Sequence, residues 1–230
     1  HYLVSFRNSN QILIVGRDAG VVEVINEDRG TADEHCQLRG DQLDDFDDDG
    51  EIRCGDPGVM DHQHNPQWLG NGTVLVADSS NDRVVELSRE DGRWRPTWTL
   101  TGAGGVDFHW PRDADRLANG NTLVTDTFNN RVVEVDENGS VVWSTRTPDD
   151  SPIAYEADRL PEGELVGGTS YESGMGGGQR GSVPGLSILL VGVRSVVPGT
   201  PFWVDERHLG LVLLGLVGMV AGSVDWYRQR

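Results

Sequence analysis

Three of the six histidines fall in two short clusters, Asp61-His62-Gln63-His64-Asn65-Pro66 and Phe108-His109-Trp110-Pro111. An imidazole can act as a nucleophile toward sulfur or phosphorus, and a second one can carry a proton to a leaving group. A guanidinium such as that of Arg7, in Ser5-Phe6-Arg7-Asn8, can grip two oxyanion oxygens at once. Together His64, His62, His109 and Arg7 suit a substrate bearing a tetrahedral anion. The pair His62-x-His64 on a strand would set both rings on one side, which also suits a metal. A third reading has the histidines only hydrogen-bonding backbone. A separate acidic constellation lies upstream, Asp45-Phe-Asp47-Asp-Asp49-Gly50-Glu51, with Asp56 at the twelfth position. Asp45, Asp47, Asp49, Glu51 and Asp56 follow the spacing that wraps oxygens around Ca2+, with the glycine at the sharp turn. No flanking helices are evident, and a solvated acidic loop is the other reading.

The elements that must position these residues show as an internal repeat. Thr73-Val-Leu-Val-Ala-Asp-Ser-Ser-Asn-Asp-Arg-Val-Val-Glu-Leu87 returns as Thr122-Leu-Val-Thr-Asp-Thr-Phe-Asn-Asn-Arg-Val-Val-Glu-Val135, with Leu75 matching Leu123 at an offset of 48. Leu3-Val4 matches Leu75-Val76 at an offset of 72, and Ala157-Asp-Arg-Leu160 matches Ala114-Asp-Arg-Leu117 at an offset of 43. Asn71-Gly72, Asp91-Gly92, Asn119-Gly120 and Asn138-Gly139 are hairpin signals between short Val-rich runs. Strand-turn-strand units of about 40–50 residues mark propeller blades. The expected fold is therefore an all-β β-propeller over residues 1–172, with about four blades visible. The first blade lacks its opening strand, and a closed ring needs more blades, so an N-terminal portion is expected beyond residue 1. Residues 26–60 form an acidic insertion. In a propeller the innermost strands line a central channel, so the histidine clusters and Arg7 converge on one mouth.

Composition narrows the partners. A net charge of −18 and a pI near 4.5 exclude nucleic acid, which needs a basic face. Such an acidic surface suits concentrated salt, where screening weakens self-repulsion. Cys36 and Cys54 flank the acidic loop, and an exposed pair outside the cell is expected to be joined as a disulfide; two unconnected buried thiols are the other reading.

The tail changes character. Residues 173–182 are a Gly-rich linker, and 183–204 an apolar segment broken by Arg194, Pro198 and Pro201, which suits an interface. Residues 205–230 contain the uncharged run Leu209 to Val224, bracketed by Trp203 and Trp226-Tyr227. This reads as a transmembrane helix. Arg228 and Arg230 place the C-terminus in the cytoplasm, and a single span places the propeller on the extracellular side of a cell membrane, whereas two spans would place it inside.

Gln63-His64 followed by Trp68-Leu69-Gly-Asn-Gly72-Thr-Val-Leu-Val and Asp78 resembles the nucleophile blade of the arylsulfate sulfotransferase family. Tyr2-Leu-Val-Ser-Phe-Arg7-Asn8 is similar to that family's preceding blade, and Asp115-Arg116-Leu117-Ala-Asn-Gly-Asn-Thr-Leu to its next one. The resemblance covers roughly residues 1–172. It implies a six-bladed propeller that moves sulfate from an aryl sulfate to a phenol without a nucleotide donor or a required cofactor. His64 would carry the group as a sulfohistidine and Arg7 would bind its oxygens. The family also has a disulfide just upstream of the nucleophile. Two family features differ here: the His-x-Asn motif expected ahead of Tyr2 lies outside the chain, and a membrane tail is foreign to the soluble enzymes. The rival reading is a non-catalytic binding propeller of the NHL type, whose repeats also read Ala-Asp-x-x-Asn-x-Arg-Val.

Overall fold

The computed structural model describes residues 1–27, 45–147, 153–161, 163, 165–171 and 174–175, with positions 210, 212 and 215 in the tail. Its strands are β1 (Tyr2–Phe6), β2 (Gln11–Gly16), β3 (Gly20–Ile25), β4 (His64–Gly70), β5 (Thr73–Asp78), β6 (Arg83–Glu90) and β7 (Arg93–Leu100). They continue as β8 (Gly102–Ala103), β9 (Val106–Asp107), β10 (Pro111–Arg116), β11 (Thr122–Asp126), β12 (Arg131–Val135), β13 (Val141–Arg146) and β14 (Gly174–Met175). The architecture is all-β, as expected. Strands β4–β7 and β10–β13 each run up and down as a four-stranded antiparallel sheet, and β1–β3 form a three-stranded one. The first sheet begins at β1, the counterpart of β5, and among the described residues it has no counterpart of β4. A two-strand hairpin, β8–β9, links the second sheet to the third, and β14 joins the outer strand β7 in parallel.

Turn chemistry explains the repeat. Asn71 and Gly72 sit at φ 51° and 75°, Asp91 and Gly92 at 49° and 78°. Two successive left-handed residues make the tight turn whose twist matches the flanking strands. Between the second and third strands of each unit lies one 3-10 turn: Arg7–Ser9, Ser79–Asn81 and Thr127–Asn129. Each ends on a left-handed Asn10, Asp82 or Asn130, residue types that tolerate that conformation.

These turns hold the next unit in place. Asn10 Oδ1 accepts the N–H of His62 (3.0 Å), and Asp82 Oδ1 accepts that of Trp110 (2.7 Å). Asp78 accepts the Asp61 N–H and Asp126 the His109 N–H, at 2.6 and 2.9 Å. Those same carboxylates hold Arg83 and Arg131 within their own sheets at 2.7 Å each. The Asp-x-x-Asn-x-Arg pattern is thus a structural clasp, and it fixes the backbone just ahead of β4 and β10.

The three sheets stack face to face. β5 is buried throughout, and its side chains alternate as a pleated strand requires. Val74 and Val76 join Ile12, Ile25, Val85 and Leu87 between the first and second sheets. Leu75 and Ala77 face the other way, with Val84, Leu100, Ala114, Val124 and Val133 between the second and third. Each such side chain contributes about 1.5–3 kcal/mol by leaving water. Between the second and third sheets a buried ion pair, Glu86–Arg116 at 2.8 Å, bridges the stack. Arg116 also donates to Thr122 Oγ1 and Thr169 O, and its guanidinium lies 3.5 Å from the Tyr171 ring centroid. The next unit repeats the pair more openly as Glu134–Arg159 at 3.4 Å.

Cys54 is disulfide-bonded; Cys36, its expected partner, lies outside the described residues. The Gly-rich linker and the apolar segment at 183–204 also lie outside them, apart from Gly174–Met175 in the linker. Of the proposed membrane-spanning helix, positions 210, 212 and 215 are helical and the rest lies outside. Among the described residues no helix is long and apolar enough to cross a membrane.

Candidate functional site

The repeat offsets that match Leu75 with Leu123, and Ala114 with Ala157, also match His64, Arg112 and Tyr155. These three stand at one position on successive inner segments: the start of β4, the second residue of β10, and the stretch 153–161. Hydrogen bonds confirm the match. Ser79 Oγ reaches Pro111 O at 2.6 Å, one residue before Arg112, and Thr127 Oγ1 reaches Ala154 O at 2.9 Å, one before Tyr155. Arg7 opens the first 3-10 turn, where Ser79 and Thr127 open the next two, and its charge acts on His62 and His64.

His64 is the centre of this group. It is 6% exposed, and its Nδ1 lies 2.8 Å from the Tyr155 hydroxyl, with the rings edge to face at 5.2 Å. Its Nε2 is closed off from solvent and has no hydrogen-bond partner among the described residues. Burial pushes the imidazole pKa down from 6.5 to about 4, with the cations Arg112 and Arg7 and then His62 adding to it. The ring is therefore neutral at physiological pH.

Arg112 is the counterpart charge. Its guanidinium lies 4.8 Å from the Tyr155 ring centroid, 5.8 Å from Phe128 and 6.0 Å from Trp110. Aromatic faces steady a cation without neutralising it. Its Nε is buried with no hydrogen-bond partner among the described residues. Arg7 donates from Nε to Asn8 Oδ1 at 3.0 Å and is exposed. Among the described residues neither arginine pairs with a carboxylate, whereas Arg53, Arg83, Arg116 and Arg131 all do. In a chain of net charge −18, two arginines without a carboxylate partner among the described residues, beside a neutral histidine, suit an anion.

The other sequence-selected residues divide. His62 lies at the rim, edge to face with Trp110 at 6.1 Å, and burial followed by Arg7 lowers its pKa. It stands in a left-handed turn at φ 56° ahead of β4, held by Asn10, so the expected strand-borne His-x-His face does not form. His109 takes a different place. It matches Asp61, not His62 or His64, and its Nδ1 faces Asp107 O at 3.2 Å while Asp126 holds its N–H. It supports the third sheet. Arg112 and Tyr155 escaped selection because neither carries a motif of its own; the repeat offset was the available signal.

The acidic loop gathers only part of its expected ligand set. Asp47 and Asp49 offer oxygens within 4.8 Å of one another and of Glu27, a residue outside the calcium pattern. Asp45 accepts the Asp49 and Gly50 N–H groups, and Asp56 the Gly58 N–H. Arg53 binds Glu27, Asp49 and Glu51 at 2.9, 2.7 and 2.6 Å, setting one positive charge against three carboxylates.

No family model and no curated protein matches the chain. Among solved structures, it is similar to a protein of unknown function from Bacteroides caccae, at 15% identity and a TM-score of 0.40, covering 70% of this chain and 47% of that one. It is also similar to virginiamycin B lyase from Staphylococcus aureus, at 12% identity and a TM-score of 0.35, covering 64% of this chain and 37% of that one. The chain thus spans less than half the length of either, and likeness at these scores carries no inference about activity.

Proposed function

We propose that the chain is part of an arylsulfotransferase-like β-propeller that moves a sulfuryl group from an aryl sulfate to a phenolic acceptor through His64. One observation carries this reading: a neutral, buried imidazole stands beside two arginines, and among the described residues its Nε2 has no hydrogen-bond partner and they have no carboxylate partner. The three stacked sheets and the shared inner-strand position of His64, Arg112 and Tyr155 support a radial arrangement of blades about a central mouth.

In the first half-reaction the Nε2 lone pair attacks sulfur. The N–S bond forms as the S–O(aryl) bond breaks, and the phenolate departs with the electron pair. Arg112 and Arg7 stabilise the sulfuryl oxygens and the developing phenolate charge. Because Nε2 is shielded, the side chains over it must part to admit the donor. In the second half-reaction a phenol oxygen attacks the sulfohistidine, neutral His62 accepts the phenol proton, and His64 leaves as a free imidazole. This assigns roles to His64, Arg7 and His62, adds Arg112, and gives His109 none.

The NHL-type rival rested on the Asp-x-x-Asn-x-Arg pattern. Those residues are engaged in clasps within and between sheets, so the pattern favours neither reading. A membrane anchor in the tail and an extracellular location belong to the same proposal. The test is release of nitrophenol from 4-nitrophenyl sulfate with a phenol acceptor, by the full chain and by His64→Ala. Acceptor-dependent release by the parent and a loss of at least ~10³-fold in the variant are expected for a covalent nucleophile. Equal release by both proteins sinks the reading.

A further inference from the structure

His64 can act through Nε2 only if its single ring proton sits on Nδ1, and one residue is placed to decide this. We infer that Tyr155 is the positioning residue that holds the proton of His64 on Nδ1, leaving the Nε2 lone pair as the one reactive atom of the ring. The inference rests on the proposed role of His64 as nucleophile.

The Nδ1–Oη separation of 2.8 Å is a full hydrogen bond, and either partner could supply the hydrogen. Two features decide the direction. First, Tyr155 is 47% exposed, so its hydroxyl hydrogen can turn to water while an oxygen lone pair accepts Nδ1–H. Second, the opposite arrangement puts an N–H on Nε2, where the described residues offer it no acceptor. A buried N–H without a partner is among the most costly polar arrangements. Arg112 also lies 4.8 Å over the Tyr155 ring, which limits where that ring can swing. Tyr155 is thus to His64 what the orienting carboxylate is to a catalytic triad histidine, with a neutral oxygen in place of a charge.

Placement in the repeat adds to this. Tyr155 occupies the position that His64 and Arg112 hold on the two preceding inner segments, so one rim position supplies the nucleophile, a guanidinium and an orienting hydroxyl in turn. The segment bearing Tyr155 is tied to β10, since Ala157 N–H donates to Asp113 at 2.9 Å.

The experiment is long-range 1H–15N correlation of the histidine rings in the full chain, with His64 assigned by its loss in His64→Ala. The expected parent spectrum shows Nδ1 protonated and Nε2 bare, and Tyr155→Phe moves His64 toward the Nε2–H form. The phenylalanine ring keeps the edge-to-face contact, so folding is preserved, and circular dichroism checks it. Transfer from 4-nitrophenyl sulfate is read in parallel. Tyr155→Phe is expected to lower kcat roughly a hundredfold with KM little changed, short of the ~10⁴ that a wrong tautomer costs a triad histidine. An unchanged His64 tautomer in Tyr155→Phe, or an Nε2–H form already in the parent, overturns the inference. If the tautomer shifts while His64→Ala keeps full turnover, the inference stands and the proposed reaction falls. If turnover needs His64 while its tautomer ignores Tyr155, the reverse holds.

Discussion

At the scale of single residues, the chemistry follows from a histidine kept neutral. Burial first, then Arg112, Arg7 and His62, bring His64 from 6.5 to about 4. An imidazole with its pKa below the working pH is nearly all free base, as a nucleophile must be. The acid limb of kcat/KM is therefore expected near pH 4, well below the ordinary histidine range. Arg112→Gln removes the second contributor and should move that limb upward while lowering the rate; a limb that stays in place contradicts the assignment. The stability sign agrees. Because the folded-state pKa is depressed, stability is intact above about pH 6.5 and falls as pH drops toward 4, where the unfolded chain binds the extra proton. His64, His62 and Arg7 were legible from residue type and order. Arg112 was not, because an arginine in an acidic chain reads as a salt-bridge partner. His109 was misplaced by its neighbours, since the 48-residue offset aligns it with Asp61.

Among the elements, the repeat fixes which side chains meet across stacked sheets. Glu86 on β6 and Arg116 on β10 form a buried pair, and the matching positions one interface earlier are Ile14 and Trp68. Ile14 and Trp68 both pack on the core between the first two sheets. One architectural position is thus solved once by charge and once by apolar contact. Removing one partner of a buried pair leaves the other charged and unmatched, so Glu86→Ala should lose about 3–5 kcal/mol. Copying the earlier interface with E86I/R116W removes both charges but also the bonds to Thr169, Ser170 and Tyr171. Thermal midpoints should place the double variant between Glu86→Ala and the parent; a double variant no better than the single refutes the equivalence. The hairpin turns and β-strand spans were readable from Asn-Gly and Asp-Gly steps between Val-rich runs. The ion pair was not, because its partners lie in different units and only stacking brings them together.

For the whole molecule, the charge is unevenly used. Acid dominates the chain and its insertion, while the one rim position shared by three units collects His64, Arg112 and Tyr155 with Arg7 beside them. The long-range pull of such a cationic spot in an acidic surface is short, so small anions in salt are the ligands it can select. The all-β plan and the first sheet without its opening strand were visible in the repeat offsets, because turn residues recur in register. Of the calcium spacing, Asp47 and Asp49 come together with Glu27, while Asp45 and Asp56 accept backbone N–H groups in local turns. The central claim, a covalent sulfohistidine at His64, is tested most directly by incubating the full chain with 4-nitrophenyl sulfate and no acceptor, then mapping peptides by mass spectrometry at alkaline pH. A sulfuryl adduct on the peptide carrying His64, discharged on adding phenol, is the predicted result. Turnover without any adduct, or an adduct on another residue, would contradict it.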